Sequence, residues 1–150
     1  MTPHIRFYSV QDDHGEFSNF APYPVFLDKK RWPTSEHYFQ AQKFLDAKVQ
    51  ERVRCASTPL LAARLGRDRR QKLRADWESV KVSVMRRVVE AKFRQHDDLA
   101  ELLLSTADAT LIEHTDTDSF WGDGGDGSGK NMLGRILMDV RTTLQTERRP

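Results

Sequence analysis

Cysteine is nearly absent from these 150 residues, and Cys55 stands alone. A single thiol excludes an internal disulfide and suits a reducing compartment, so the expected setting is the cytoplasm. Its apolar neighbours Val53 and Ala56 predict a buried thiol rather than a nucleophile. No apolar run approaches the roughly 20 residues of a membrane span, and no membrane partner is expected. The opening Met1-Thr2-Pro3-His4-Ile5-Arg6 lacks the charged-then-apolar pattern of a signal peptide. Repeats, low-complexity tracts and an internal linker are missing too. Neither sign of charge dominates, and a net charge of +2 is too small to announce a nucleic-acid binder. The one dense basic run comprises Arg64, Arg67, Arg69, Arg70, Lys72 and Arg74, diluted only by Asp68. It either meets phosphates or is a solvated connection between helices.

Absent motifs narrow the chemistry. Five scattered histidines, one cysteine and no H-E-x-x-H leave zinc without a ligand set. No G-x-S-x-G marks a serine nucleophile. Gly124 to Lys130 spells G-x-x-x-x-G-K, yet Asn131 stands where a phosphate loop needs Ser or Thr. Two aspartates inside that loop would repel nucleotide phosphates, and no strand leads directly into it, which excludes a nucleotide triphosphatase. A calcium loop counted from Asp123 fails because its last liganding position is Gly134 rather than Glu. Neither a metal nor a cofactor is expected.

What is present reads as one soluble domain over residues 1–150, with 38% hydrophobic and 31% charged residues. Ile5 to Tyr8 is a short strand. Val25-Phe26-Leu27 and Lys30-Arg31-Trp32 flank a polar turn at Asp28-Lys29, a hairpin pattern. Helices are predicted over Ser35–Leu45, Lys48–Ala56 and Pro59–Leu65, the last stopped by Gly66. The longest runs from Ala75 to Arg94 with Asp76 as its cap and Val80, Val84, Val88 and Ala91 on its core side. Further helices cover Asp97–Leu104 and Asn131–Leu144, the latter facing inward through Leu133, Ile136, Leu137, Val140 and Leu144, with a strand at Thr110–Glu113 between them. Many helices with a few short strands make an α+β domain, mainly helical, without the βαβ alternation of a dinucleotide-binding sheet.

Two stretches could carry chemistry. Trp32-Pro33-Thr34-Ser35-Glu36-His37-Tyr38-Phe39-Gln40-Ala41-Gln42-Lys43 reads as a capped helix start. Glu36, Gln40 and Lys43 fall on one stripe at i, i+4 and i+7 with Phe39 beside them. That stripe is either a polar ligand site against aromatic surface or the ordinary polar face of a surface helix. The second is the loop from Phe120 to Asn131, with five glycines between Gly122 and Gly129 ahead of a helix. Exposed amides there would attract phosphate; otherwise the loop is a flexible turn. Asp118 either serves chemistry or caps the loop entry, and Trp77 is either a core anchor or a flat surface for a heterocycle. A first-turn glutamate, a second acid and indoles together suit cleavage at an anomeric carbon, where positive charge builds on the sugar.

These residues also carry a resemblance. Phe7-Tyr8-Ser9, Glu16 to Phe20, Trp32 to Phe44, Ala63 to Arg69, Asp76 to Lys81, Ala91-Lys92-Phe93 and Trp121 to Met138 resemble the YbiA/NADAR family, in order, over about Phe7 to Arg141. One departure is Ser105-Thr106-Ala107, where many members carry Thr-Gly. The resemblance implies an N-glycosidase that hydrolyses phosphorylated ribosylaminopyrimidine intermediates of riboflavin biosynthesis. Other members remove ADP-ribose from guanine in DNA, so ADP-ribosylated nucleic acid is the alternative partner, and a binding module without turnover is a third reading. Transferred by position, the catalytic acid is Glu36, the aromatic site residue Trp77 and the second acid Asp118, preferred over Asp123 and Asp126. The expected substrate-binding set is Asn19, Phe20, Gln40, Lys43, Trp121, Gly125, Gly127, Gly129, Lys130 and Asn131, with the amides of Gly125 to Gly129, helped by Lys130, Lys43 or Arg residues, holding the phosphate.

Overall fold

Backbone hydrogen bonding and side-chain burial follow the predicted elements closely in the computed structural model, which describes residues 2–148 and has the expected α+β, mainly helical fold. Its residues group into two compact units. Among the described residues, one joins 2–21 with 93–148, and the other runs Pro22–Lys92.

Within Pro22–Lys92, strands β1 (Val25–Leu27) and β2 (Lys30–Trp32) form an antiparallel hairpin in the register Val25↔Trp32. Asp28 and Lys29 both take left-handed φ (54° and 66°), the geometry a two-residue hairpin loop demands even without glycine. Trp32 Nε1 donates to the Leu27 carbonyl at 2.9 Å, and its ring stands edge-on to Tyr38 at 5.2 Å. Three helices follow: α1 (Ser35–Ala41), α2 (Ala47–Arg54) and α3 (Pro59–Gly66). Each is capped by a side chain before its first turn, namely Thr34, Asp46 and Thr58. Helix α1 stops four residues before Leu45, where the sequence pattern ended it. Cys55 lies just past the end of α2 and is exposed, not buried as expected. Val53 belongs to the buried face of the helix, whereas Cys55 has already left it.

Helix α4 (Trp77–Gln95) begins in this unit. The Asp76 carbonyl opens its ladder, but the Asp76 carboxylate holds the Arg74 guanidinium at 2.6 and 3.0 Å instead of capping amides. The buried line on α4 is Met85, Val88, Val89, Lys92 and Phe93. Of the expected core valines only Val88 is fully buried; Val80, Val84 and Ala91 are half-buried. The valine spacing marks a face turned slightly away from the true contact line.

His37 fixes the start of α1. Its Nδ1 lies 2.8 Å from Thr34 Oγ1 and its Nε2 3.0 Å from the Ala56 carbonyl. A carbonyl only accepts, so Nε2 carries the proton and the Thr34 hydroxyl donates to Nδ1. Burial disfavours the imidazolium and, against the pull of the Ala56 carbonyl, holds the pKa below 6.5. A base with a depressed folded pKa is protonated more readily in the unfolded chain. Its stabilising effect is therefore full above about pH 6.5 and is lost as the pH falls from there through the folded pKa. Urea midpoints are expected to drop between about pH 7.5 and pH 5 in the wild type and to drop less in His37→Gln. An equal drop in both would place the acid sensitivity elsewhere.

In the other unit, β3 (His4–Phe7) pairs in parallel with β4 (Thr110–Glu113), His4 opposite Thr110 and Phe7 opposite Glu113. The core gathers Phe7, Phe17 and Phe93, with Phe17 5.7 Å from Phe7 and 5.8 Å from Phe93. Helices α5 (Asp97–Ser105) and α6 (Met132–Glu147) complete it. All five residues expected to face inward on α6, Leu133, Ile136, Leu137, Val140 and Leu144, are buried. Buried Arg141 donates to Thr106 Oγ1 at 2.9 Å and to the Ala109 carbonyl at 2.8 Å, tying the end of α5 to α6. Among the described residues, no helix is long and apolar enough to cross a membrane.

Candidate active site

Thr34, with extended backbone, accepts the His37 amide through Oγ1 at 3.2 Å, and this cap places Glu36 on the first turn of α1. Every residue of α1 is buried, so its polar stripe is not a solvated surface face. Glu36 is only 7% exposed. A carboxylate withdrawn from water needs donors and a nearby cation, and both are present. Gln40 Nε2 donates to Glu36 Oε2 at 2.8 Å, the i, i+4 contact expected from spacing. The other end of that amide, Gln40 Oε1, is buried without a hydrogen-bond partner. It rests on Gly66, where a Cβ would stand 2.0 Å from Oε1 and 2.9 Å from Gln40 Cβ. Gly66 therefore does more than end α3: its missing side chain gives Gln40 the room to hold Glu36.

Lys43, just past α1, reaches the Gly66 carbonyl at 3.5 Å and lies 6.0 Å from the centroid of the Phe39 ring. Burial lowers its pKa; Glu36 pulls it back up, and the charges of Arg67 and Lys81 push it further down. Glu36, Lys43, Arg67 and Lys81 thus share one electrostatic neighbourhood. Arg67 follows Gly66 directly, and Lys81 follows Trp77 by one turn of α4. In the sequence Arg67 stands in the basic run and Lys81 in a resembling segment, but nothing marks either as a site residue, because spacing cannot join α3, α4 and α1. Trp77 is buried and packs edge-on against Phe39, with centroids 5.1 Å apart. It is a core anchor, and its ring partner Phe39 is the one that Lys43 approaches.

The glycine-rich loop, in the unit containing β3, β4 and α6, is built differently from the expected phosphate cradle. Asp118 Oδ1 accepts the amides of Phe120 (2.9 Å) and Trp121 (2.8 Å), so this oxygen caps the loop entry. Asp123, 5% exposed, accepts from Thr115 N, Gly125 N and His114 Nδ1 at 3.1, 2.9 and 2.8 Å. Burial pushes its carboxyl up, but these three donors outweigh it and hold the pKa below the usual aspartate value. Ser128 N donates to Asp126, Gly129 N to the Asp123 carbonyl and Lys130 N to the Ser119 carbonyl. The first amides of α6 are met by the carbonyls of Gly122, Phe120 and Trp121. The loop thus satisfies the amides of Gly125, Gly129 and Lys130 internally, which removes them from a phosphate cradle. Asn131, also expected to bind substrate, takes left-handed φ and bridges to β4. Its Oδ1 accepts from Glu113 N at 3.0 Å and its Nδ2 donates to Leu111 O at 2.8 Å. Lys130 Nζ lies 5.5 Å from the centroid of the Phe120 ring, which stands edge-on to half-buried Trp121. Phe20 is exposed and Asn19 buried. Among the described residues, no three His, Cys, Asp or Glu side chains are grouped to hold a metal ion.

Comparison with known proteins agrees with the resemblance read from the motifs. The family model for the NADAR domain matches residues 6–145. N-glycosidase YbiA of Escherichia coli is 59% identical over 144 residues, spanning 96% of this chain and 90% of that protein. A riboflavin biosynthesis protein of Vibrio vulnificus is 49% identical over 145 residues, 97% of this chain but 40% of that longer protein. The NMR structure of the E. coli protein YbiA superposes with a TM-score of 0.91 at 58% identity, covering 99% of this chain and 89% of that one.

Proposed function

This chain belongs to the NADAR domain family and is an N-glycosidase, and from that premise we propose that it hydrolyses phosphorylated ribosylaminopyrimidine intermediates of riboflavin biosynthesis, releasing ribose 5-phosphate and the free base. The riboflavin-biosynthesis name of the Vibrio relative supports the substrate class. The observation that carries the chemistry is buried Glu36, tethered by Gln40 and coupled to Lys43, which also feels the charges of Arg67 and Lys81.

Hydrolysis breaks the bond between C1′ and the base nitrogen, the electron pair leaving with the base. Positive charge then builds on the ribose ring, and a fixed carboxylate in a water-poor site stabilises it or takes the proton of the attacking water. The water oxygen bonds to C1′ and the base nitrogen gains a proton. Lys43, Arg67 and Lys81 suit the phosphate, a role that the engaged amides of Gly125, Gly129 and Lys130 do not take. Trp77 with Phe39 supplies an aromatic wall for the base. No step in this scheme draws on a metal.

Asp118 is proposed as the second acid, and its capping geometry allows that role to be separated from a structural one. Asp118→Asn keeps a carbonyl oxygen for the amides of Phe120 and Trp121 while removing the charge. If the charge is used in catalysis, kcat falls by about a hundredfold with an unchanged melting temperature. If Asp118 only caps, Asn retains activity, whereas Asp118→Ala loses about 1 kcal/mol of stability.

Substrate class is tested by comparing kcat/KM for the phosphorylated aminopyrimidine riboside, its dephosphorylated form and ADP-ribosylated guanosine. The phosphorylated form is expected to lead by at least about tenfold, the loss that accompanies removal of a charge-assisted contact. A preference for ADP-ribosylated guanosine, with steep salt dependence on modified DNA, would replace the riboflavin reading. Tight binding without release of base would replace hydrolysis with a binding function.

A further inference from the structure

Gly66 closes α3 in ordinary helical backbone: its φ lies outside the left-handed region, and Arg67, the cap that follows, is helical too. Alanine would suit such a position better than glycine, because glycine loses more freedom on folding. The backbone therefore gives no reason for a glycine here. The reason lies across the helix contact, on α1. The three nearest atoms that a Cβ would meet all belong to Gln40, with Oε1 the closest, then Cδ at 2.7 Å and Cβ at 2.9 Å.

Gln40 is held in place at a cost. Its side chain is buried, and Oε1 has no hydrogen-bond partner among the described residues. A buried acceptor left unpaired opposes folding, so stability alone does not select this arrangement. Turning the amide over would set Oε1 against the Glu36 carboxylate, so the 2.8 Å bond from Nε2 to Glu36 Oε2 fixes the orientation. The space at position 66 lets the amide keep it. The same residue makes a second contact. The Gly66 carbonyl, among the last of α3 and beyond its amide ladder, lies 3.5 Å from Lys43 Nζ. One residue thus meets the tether of the carboxylate with its missing side chain and the cation with its carbonyl.

We propose that Gly66 is a positioning residue for the reaction at Glu36, setting Gln40 on the carboxylate and holding Lys43 beside it. This role rests on Glu36 acting in N-glycoside hydrolysis. The neighbour that yields to an added methyl group is mainly the far end of a side chain, so Gly66→Ala releases Glu36 rather than breaking backbone. The carbonyl at position 66 survives the substitution, and with it the reach of Lys43. Gly66→Ala is therefore expected to lower kcat on the phosphorylated ribosylaminopyrimidine at least about tenfold while KM moves by less than about twofold. Gln40→Ala should lose kcat to the same extent, and the double variant should be no slower than Gln40→Ala alone. Independently of turnover, the Gln40 side-chain amide in a proton–nitrogen correlation spectrum should shift in Gly66→Ala. An unmoved amide, an unchanged kcat, a rise in KM as large as the fall in kcat, or losses that add in the double variant would overturn the proposal. Should Gly66→Ala unfold, the double variant decides: melting like Gln40→Ala supports the role, and unfolding as well overturns it. If the wild type leaves the aminopyrimidine riboside intact, the substrate reading fails, and the amide shift alone then decides for or against Gly66.

Discussion

Replacing Glu36 by Gln is expected to lower kcat about a thousandfold while leaving folding nearly untouched, a combination measured by steady-state kinetics alongside thermal melting. The substitution preserves shape. A glutamine carbonyl at position 36 still accepts from Gln40 Nε2, so the 2.8 Å contact survives and stability should change by no more than about 1 kcal/mol. What disappears is the negative charge facing the developing positive charge on the sugar, and with it the counter-charge for Lys43. KM for a phosphorylated substrate should move much less than kcat, because the cations near Lys43 remain. A variant that keeps more than about a tenth of wild-type kcat would remove Glu36 from the chemistry, whatever else the site contains.

Local chemistry explains how much of this was legible beforehand. Turn and cap signals are contained in a few consecutive residues, so the Asp28-Lys29 hairpin, the capped start of α1 and the helix that opens at Pro59 could be read directly. The inward face of α6 was legible because five large aliphatic residues repeat at helical spacing. The Glu36–Gln40 contact follows from the same arithmetic. Long-range packing was not legible. The parallel pairing of His4 with Thr110 joins strands separated by most of the sequence. The pressure of Gln40 on Gly66 gives that glycine a second purpose invisible to helix-stop rules. Glycine content at 122–129 suggested open amides, yet Asp123 and Asp126, noted as obstacles to nucleotide phosphate, turned out to be the loop's internal acceptors. The aspartates that argued against a nucleotide also close the loop.

Gly134 carries the largest expected effect on stability. It sits in the first turn of α6, where the helix meets β4 so closely that a Cβ would stand 2.1 Å from the Leu111 carbonyl oxygen. The same Cβ would meet both terminal atoms of the Asn131 amide, at 2.4 and 2.6 Å. Neither can yield cheaply, since Leu111 O belongs to a paired strand and already accepts from Asn131 Nδ2 at 2.8 Å. Gly134→Ala is expected to cost about 3 kcal/mol, or roughly 10 °C in Tm. Gly127→Ala provides the contrast. Nothing lies within 4 Å of a Cβ there, and the penalty is only that of placing alanine at φ +86°, about 1 kcal/mol. If Gly127→Ala proved the more damaging of the two, close approach of α6 to β4 would not be what position 134 requires.

The site as a whole makes a specific chemical claim. In the proposed reaction, the Glu36 carboxylate held by Gln40 acts as the bond between an anomeric carbon and a base breaks, while the cations around Lys43 retain the phosphate end of the sugar. Incubating the protein with a phosphorylated ribosylaminopyrimidine and quantifying both products over time tests this most directly. Equimolar release of ribose 5-phosphate and free base, abolished in Glu36→Gln, is the predicted result; substrate loss without ribose 5-phosphate, or release that persists in that variant, would contradict it.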